Sequence, residues 1–174
     1  MVSAAIQAES VRSPLQKGLE QRFEDAVLSA MAAVAGMSAR RVANSDQKRH
    51  LGRMSCCQIG VSGQGFTGAL LLLFPVEEGQ SIAAGVAGAE RHDGRFAGPD
   101  IAEGYGTMAA AVALEFARGF ADESRVTLSM PTLITGGDVA VSFPWGNDVE
   151  LRSAFTSEQG NFWALLRLSH VASN

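Results

Sequence analysis

Apolar side chains recur every three or four residues from Pro14 onward, which is the spacing of one helix face. Pro14 suits the first helical position, Ser13 suits the N-cap, and Gln16 completes a capping box. The apolar pattern fades at Gly36, where we expect the helix to end. The predicted apolar stripe consists of Leu15, Leu19, Phe23, Val27, Ala30 and Val34.

A second long helix is predicted from Asp100 to about Ala121, opened by Pro99. Its residues fall on two different faces at about 100° per residue. The face predicted to enter the core contains Ile101, Tyr105, Met108, Val112 and Phe116. The face predicted to point outward contains Glu103, Gly106, Thr107, Ala110, Leu114 and Ala117.

Extended, apolar segments with turn residues between them predict β-strands in the rest of the chain. Met54–Val61 and Phe66–Phe74 flank the turn at 62–65 and should pair antiparallel, with the second strand inside the sheet. A short helix is expected around Ile82–Val86. An antiparallel meander is expected from Val126–Thr135, Val139–Phe143, Val149–Phe155 and Phe162–Val171. The basic segment Arg40–Arg53 has no periodicity and predicts a solvated loop, with an anion-binding patch as the weaker alternative.

Two halves with the order helix, then strands, predict an α+β fold in which two long helices pack on an antiparallel sheet. This order contains no βαβ repeat, so a doubly wound parallel sheet is not expected. A chain of 174 residues is long enough for one hydrophobic core. We expect a flexible N-terminus at 1–12 and a single domain at 13–174.

Composition and charge exclude several classes of function. The net charge of −4 disfavours nucleic-acid binding, and no apolar run is long enough for a membrane helix. The start of the sequence lacks the features of a secretory signal, so we expect a cytoplasmic protein. Cys56 and Cys57 are adjacent, so they are expected to be reduced and on opposite faces of a strand. Scattered histidines and the absence of familiar catalytic motifs predict no metal site and no cofactor.

The outward face of the second helix is the most unusual feature. Glu103 is followed one turn later by Gly106, and Gly104 lies between them. Each glycine should disfavour a helix by about 1 kcal/mol relative to alanine, so two within three residues suggest frayed helix geometry or close approach of another backbone. Glu103 could also be an ordinary acidic residue at a helix start.

Three local patterns, taken in order, resemble the CheC, CheX and FliY family of chemotaxis phosphatases, and CheX most. They are Gly65–Gly68 before an apolar strand, the acidic helix start Asp100–Gly106, and the segment Leu128–Gly136. The resemblance spans about residues 15–171. It implies a homodimer joined through sheet edges, and a partner that is the receiver domain of a response regulator, which would itself carry any Mg²⁺.

In the family, a Glu-x-x-Asn motif removes phosphate from the receiver aspartate, with the Glu pairing with a lysine of the regulator and the Asn orienting water. Glu103 matches the Glu, but the Asn position is Gly106. The resemblance therefore implies receiver binding through Glu103, Gly106, Thr107 and Ala110, with weak or lost phosphatase activity. Two alternatives are an active phosphatase that uses an amide from Gln64 or Asn44, and a non-catalytic dimeric structural or signalling module.

Overall fold

The structure is a computed structural model that describes residues 14–43, 53–63, 66–89, 98–118, 126–137 and 149–170. Within these ranges the helices are α1 (Pro14–Ala35), α2 (Val76–Val86) and α3 (Gly98–Ala117). The strands are β1 (Ala39–Val42), β2 (Met54–Gly63), β3 (Phe66–Pro75), β4 (Thr127–Leu128), β5 (Thr132–Gly136), β6 (Val149–Ser157) and β7 (Gly160–His170). The predicted α+β fold is confirmed.

The long helices occur where the apolar periodicity placed them. Helix α1 begins at Pro14 and ends just before Gly36, whose φ of 61° is a left-handed conformation that favours glycine. Helix α3 starts at Gly98, two residues before the predicted start. The predicted N-cap Ser13 and residues 1–12 lie outside the described part of the chain, as do residues 119–125.

The strands form one antiparallel sheet in the order β1-β6-β7-β3-β2-β4, and β5 also pairs with β2. Strands β2 and β3 pair from Met54↔Pro75 to Gly63↔Phe66, and β3 lies inside the sheet, as predicted. The expected meander over 126–171 is confirmed only for its last two strands, because β6 and β7 form an antiparallel hairpin, whereas β5 pairs with β2 and β6 also pairs with β1. The predicted strand Val139–Phe143 lies outside the described residues.

One predicted strand, Val126–Thr135, is divided into β4 and β5. The ladder with β2 is interrupted at Ser129–Pro131. Pro131 has no N–H to donate to a neighbouring strand, so continuous pairing through this position is unfavourable. At the interruption, Pro131 packs against Gly106 of helix α3.

The predicted loop at Arg40–Arg53 is also partly wrong, because Ala39–Val42 forms the edge strand β1, paired with β6. Arg41 Nε lies 2.8 Å from Glu24 Oε1 on α1, and Ser153 Oγ of β6 donates a hydrogen bond of 2.7 Å to the same carboxylate oxygen. Glu24 is buried, so its charge requires such partners. The ion pair between Arg41 and Glu24, together with the hydrogen bond from Ser153, therefore connects β1 to α1 and β6. Strand β1 has no alternation of apolar residues of its own.

The main core lies between the three helices and one face of the sheet. The rings of Phe155, Phe162 and Phe74 form a continuous stack with centroid separations of 5.1 Å, and Tyr105 of α3 packs edge-on against Phe74 at 5.7 Å. Complete burial of each ring contributes on the order of 2 kcal/mol. Helix α3 is thus fixed to the centre of the sheet through its large apolar face.

The two cysteines are free and buried, and they face opposite sides of the sheet. Cys57 belongs to the main core, and Cys56 packs with Ala69 and Leu71 in a second apolar cluster. The prediction of reduced packing residues is confirmed. Burial raises the pKa of the Cys56 thiol to about 11 and that of the Cys57 thiol to about 12.

Candidate functional site

The backbones of helices α2 and α3 are in unusually close contact. A Cβ atom on Gly104 would lie 1.8 Å from the carbonyl oxygen of Ala83, so only glycine fits there. Beside it, the Tyr105 side chain reaches Gly79 of α2, where a Cβ would lie 2.0 Å from the phenol oxygen. Close approach of another backbone therefore explains Gly104, the first of the two glycines that the sequence singled out.

The predicted core face of α3 is confirmed, because Ile101, Tyr105, Met108, Val112 and Phe116 are all buried. We call Glu103, Thr107, Ala110 and Leu114, which follow one another at steps of three and four residues, the outer ridge of α3. Glu103 and Thr107 are exposed, Leu114 is 50% exposed, and Ala110 is half-buried. With about 1.5 Å rise per residue, the ridge runs roughly 16 Å from Glu103 to Leu114.

Two residues predicted to lie on this outward face are instead buried, namely Gly106 and Ala117. Gly106 is covered by Pro131, since a Cβ on Gly106 would lie 2.9 Å from Pro131 Cγ and 3.5 Å from Pro131 Cβ. A partner resting on the ridge therefore meets Pro131 at this position, and the backbone of Gly106 is out of its reach. The outward placement of Gly106 is therefore wrong, and the contact surface itself stays a prediction.

The segment Ser129–Pro131, which we call the shelf, is fastened to strand β2. Ser129 N donates to the carbonyl oxygen of Gly60 at 2.9 Å, and Gly60 N donates to Ser129 Oγ at 2.7 Å. Sequence reasoning placed these residues in a strand and missed their contact with α3. The Pro131 position within an otherwise β-prone run was the available signal.

The polar side chains of the ridge are the carboxylate of Glu103 and the hydroxyl of Thr107, and the partly exposed Asp100 lies one turn before Glu103. Thr107 points about 100° around the helix from Gly106, so its hydroxyl does not occupy the place of a side chain at 106. A carboxylate such as that of Glu103 can pair with a basic group on a partner, and partial removal of water strengthens such a pair. Gln64 and Asn44, the candidate replacement amides, lie outside the described residues.

The part of the chain that the structure describes shows neither a metal centre nor a membrane-spanning helix. It contains no group of three His, Cys, Asp or Glu side chains arranged to hold a metal ion. No helix in the described ranges has the length and apolar character needed to cross a bilayer. We take the outer ridge and the shelf as the candidate functional site because the ridge carries the exposed side chains of Glu103 and Thr107.

The solved structures to which this chain is similar are chemotaxis proteins of one fold. The chain is similar to the chemotaxis protein CheX from Vibrio vulnificus, with 15% identity, a TM-score of 0.68, and coverage of 90% of this chain and 100% of that one. CheX from Desulfovibrio desulfuricans is 14% identical with a TM-score of 0.68, and the match covers 87% of this chain and 99% of that one. A chain of the CheX–CheY–BeF3–Mg²⁺ complex from Borrelia burgdorferi is 14% identical with a TM-score of 0.57, and the match covers 86% of this chain and 95% of that one.

No family model matches the sequence, and no curated protein matches it. The fold is nevertheless that of the CheX and CheC-like chemotaxis proteins, as the sequence resemblance predicted. At 14 to 16% identity this likeness concerns the fold.

Proposed function

We propose that this chain binds the receiver domain of a response regulator through the outer ridge of α3, with weak or lost aspartyl-phosphate phosphatase activity. The observation that carries the proposal is the exposure of Glu103 on a ridge whose other members are uncharged. A single exposed carboxylate on such a surface is suited to pairing with one basic side chain of a partner. The solved complex of a CheX protein with CheY supports the choice of partner, because that CheX has the same fold.

The weak phosphatase activity follows from what occupies the position one turn after Glu103. Gly106 has no side chain with which to orient water, and Pro131 covers its backbone. Phosphoryl transfer depends on positioning and on electrostatic stabilisation, so loss of one preorganised polar group costs on the order of 10² to 10³ in rate. Receiver binding does not need that group and should persist.

Binding is tested with the receiver domains encoded in the same genome, each activated with beryllofluoride and titrated against the full chain by calorimetry. We expect at least one receiver domain to bind, and Glu103→Arg to weaken that binding by about 100-fold, because attraction to a basic group becomes repulsion. Glu158→Arg makes the same charge change in the exposed β6–β7 turn and should leave binding unchanged. Absence of binding to every receiver domain, or equal binding by Glu103→Arg, contradicts the proposal.

Phosphatase activity is tested separately by following the loss of acyl phosphate from the receiver domain that binds. We expect the decay rate with the chain present to stay within about tenfold of the intrinsic rate, given the missing polar group. An acceleration of about 100-fold or more would instead favour an active phosphatase. Gln64→Ala and Asn44→Ala would then show whether either amide orients the water.

A further inference from the structure

Two of the large apolar side chains exposed on the surface belong to the outer ridge and the shelf. Within the described residues, the exposed ones are Leu114 at 50%, Met130 at 86%, Ile134 at 43% and Val149 at 36%. Leu114 is the last residue of the ridge, and Met130 belongs to the shelf that covers Gly106. Among the described residues, the most exposed large apolar side chain therefore lies on the segment that packs against Gly106, one turn after Glu103.

The backbone on the N-terminal side of Met130 is held closely against the sheet. Ser129 exchanges two hydrogen bonds with Gly60 and also donates from Oγ to the carbonyl oxygen of Met130 at 3.1 Å. A Cβ on Gly60 would lie 3.0 Å from Ser129 Oγ, so the absence of a side chain at 60 allows the close approach. The shelf is therefore fixed at the residue immediately before Met130.

The backbone on the C-terminal side is restrained by Pro131. A residue that precedes proline is confined to extended conformations, which narrows the backbone choices of Met130. Pro131 itself rests on Gly106, three residues after Glu103 and four before Ala110. Met130 thus has a restrained backbone and a side chain directed largely into water, which is an arrangement that lowers the entropic cost of binding a partner.

Resting on the function proposed above, we propose that Met130 is the apolar anchor of the receiver-domain interface and that Leu114 contributes a second apolar contact at the far end of the ridge. Methionine is enriched in protein interfaces, and its flexible thioether side chain adapts to the shape of a partner. An acidic helix end beside exposed apolar side chains complements a partner surface that combines a basic side chain with apolar groups. Such a surface disfavours acidic partners and nucleic acids, whose contacts require several positive charges.

A few central residues usually carry most of the binding energy of an interface, with the carboxylate here contributing orientation and association rate. Met130 and Glu103 should therefore affect different steps. We expect loss of Met130 to act mainly through faster dissociation, and a change at Glu103 to act also through association and its dependence on salt.

The test measures binding of the beryllofluoride-activated receiver domain by surface plasmon resonance to the full chain and to four variants. Met130→Ala should weaken binding by about tenfold and Leu114→Ala by about threefold, whereas Met130→Leu should bind nearly as tightly as the unmodified chain. Ile134→Ala is the matched control. Ile134 pairs with Cys56 and so lies on the sheet face opposite the helices. It should leave binding unchanged.

Met130 is exposed and makes little contribution to folding, and melting curves would verify that each variant is folded. Normal binding by Met130→Ala together with loss of binding in Glu103→Arg would overturn the Met130 inference and leave the proposed function standing. Failure of the unmodified chain to bind any receiver domain would overturn both. Equal weakening by Ile134→Ala would also overturn the inference, because the effect would then not be specific to the ridge and shelf.

Discussion

The two sides of helix α3 differ in how closely they are packed, and two glycines in the same turn mark the difference. On the α2 side, a Cβ on Gly104 would lie 1.8 Å from a backbone carbonyl oxygen. On the shelf side, a Cβ on Gly106 would lie 2.9 Å from a ring carbon of Pro131, which is itself exposed. The first contact is between two helix backbones, whereas the second is with a ring on the surface.

This difference shows that glycine has a different role on each side of α3. Gly104 permits α2 and α3 to approach each other, so it is a requirement of the fold. By the family resemblance Gly106 corresponds to an asparagine, and Pro131 occupies the space into which a side chain at 106 would extend. The α2 side therefore determines stability, and the shelf side determines what the ridge presents to a partner.

The largest expected effect is that of Gly104→Ala, which should lower the free energy of unfolding by about 3 kcal/mol. The added methyl group meets the Ala83 carbonyl group, so α2 and α3 must separate and lose the packing between them. Urea denaturation measures this loss. Gly18→Ala in α1 is the control, since a Cβ there has no atom within 4 Å and should stabilise the helix by up to about 1 kcal/mol.

An unchanged urea midpoint for Gly104→Ala would show that the two helices can separate at little cost. The distinction between the two sides of α3 would then be lost. If Gly104→Ala stabilised the protein as much as Gly18→Ala, the proposed close packing between α2 and α3 would be contradicted most directly.

The elements of this fold could be predicted from sequence wherever one apolar period persisted over many residues. Helices α1 and α3 and the β2–β3 hairpin are of this kind. Strand β1 could not be predicted, because its stability depends on Arg41, Glu24 and Ser153, which are distant in sequence and adjacent only after folding. The break between β4 and β5 had a local signal in Pro131, but the packing of that segment against α3 depends on residues distant in sequence.

Like the fold, the candidate site could be predicted only in part from the sequence. Helical periodicity placed Glu103 and Thr107 outward, and the structure agrees. It also placed Gly106 outward, which is wrong because a segment 25 residues later covers it. Periodicity describes which residues share a helix face, but it cannot say which other segment packs there. Met130 was missed for that reason.

The next largest effect concerns Tyr105, whose phenol is enclosed on the α2 side. Burial raises its pKa to about 12 from an ordinary 10.0, so the folded chain keeps the proton at a pH where the unfolded chain has released it. Stability from this group is therefore complete below about pH 10 and is lost as the pH rises toward 12. At pH 10.5 the expected loss is about 1 kcal/mol.

Urea denaturation at pH 8 and pH 10.5 measures this loss in the unmodified chain and in Tyr105→Phe. The Cys56 and Cys57 thiols also have raised pKa values, so both proteins should lose stability above about pH 9. Tyr105→Phe should lose about 1 kcal/mol less than the unmodified chain between the two pH values. Identical losses would show that the phenol is accessible to water in the folded protein, and that the α2 side is less tightly closed than Gly104 and Gly79 indicate.

The smallest effect is expected for Gly106→Ala, which should change the free energy of unfolding by less than about 1 kcal/mol. The added methyl group approaches Pro131 Cγ, so the proline ring must shift by a few tenths of an ångström, and this costs some packing. Alanine in place of glycine favours the helix by about 1 kcal/mol, which offsets that cost. Gly106→Ala and Gly104→Ala insert the same atom two residues apart, so the difference between their urea midpoints isolates the packing on each side. A loss near 3 kcal/mol for Gly106→Ala would mean that the shelf is as rigid as helix α2, in which case Pro131 would be a requirement of the fold as well as the surface that a partner meets.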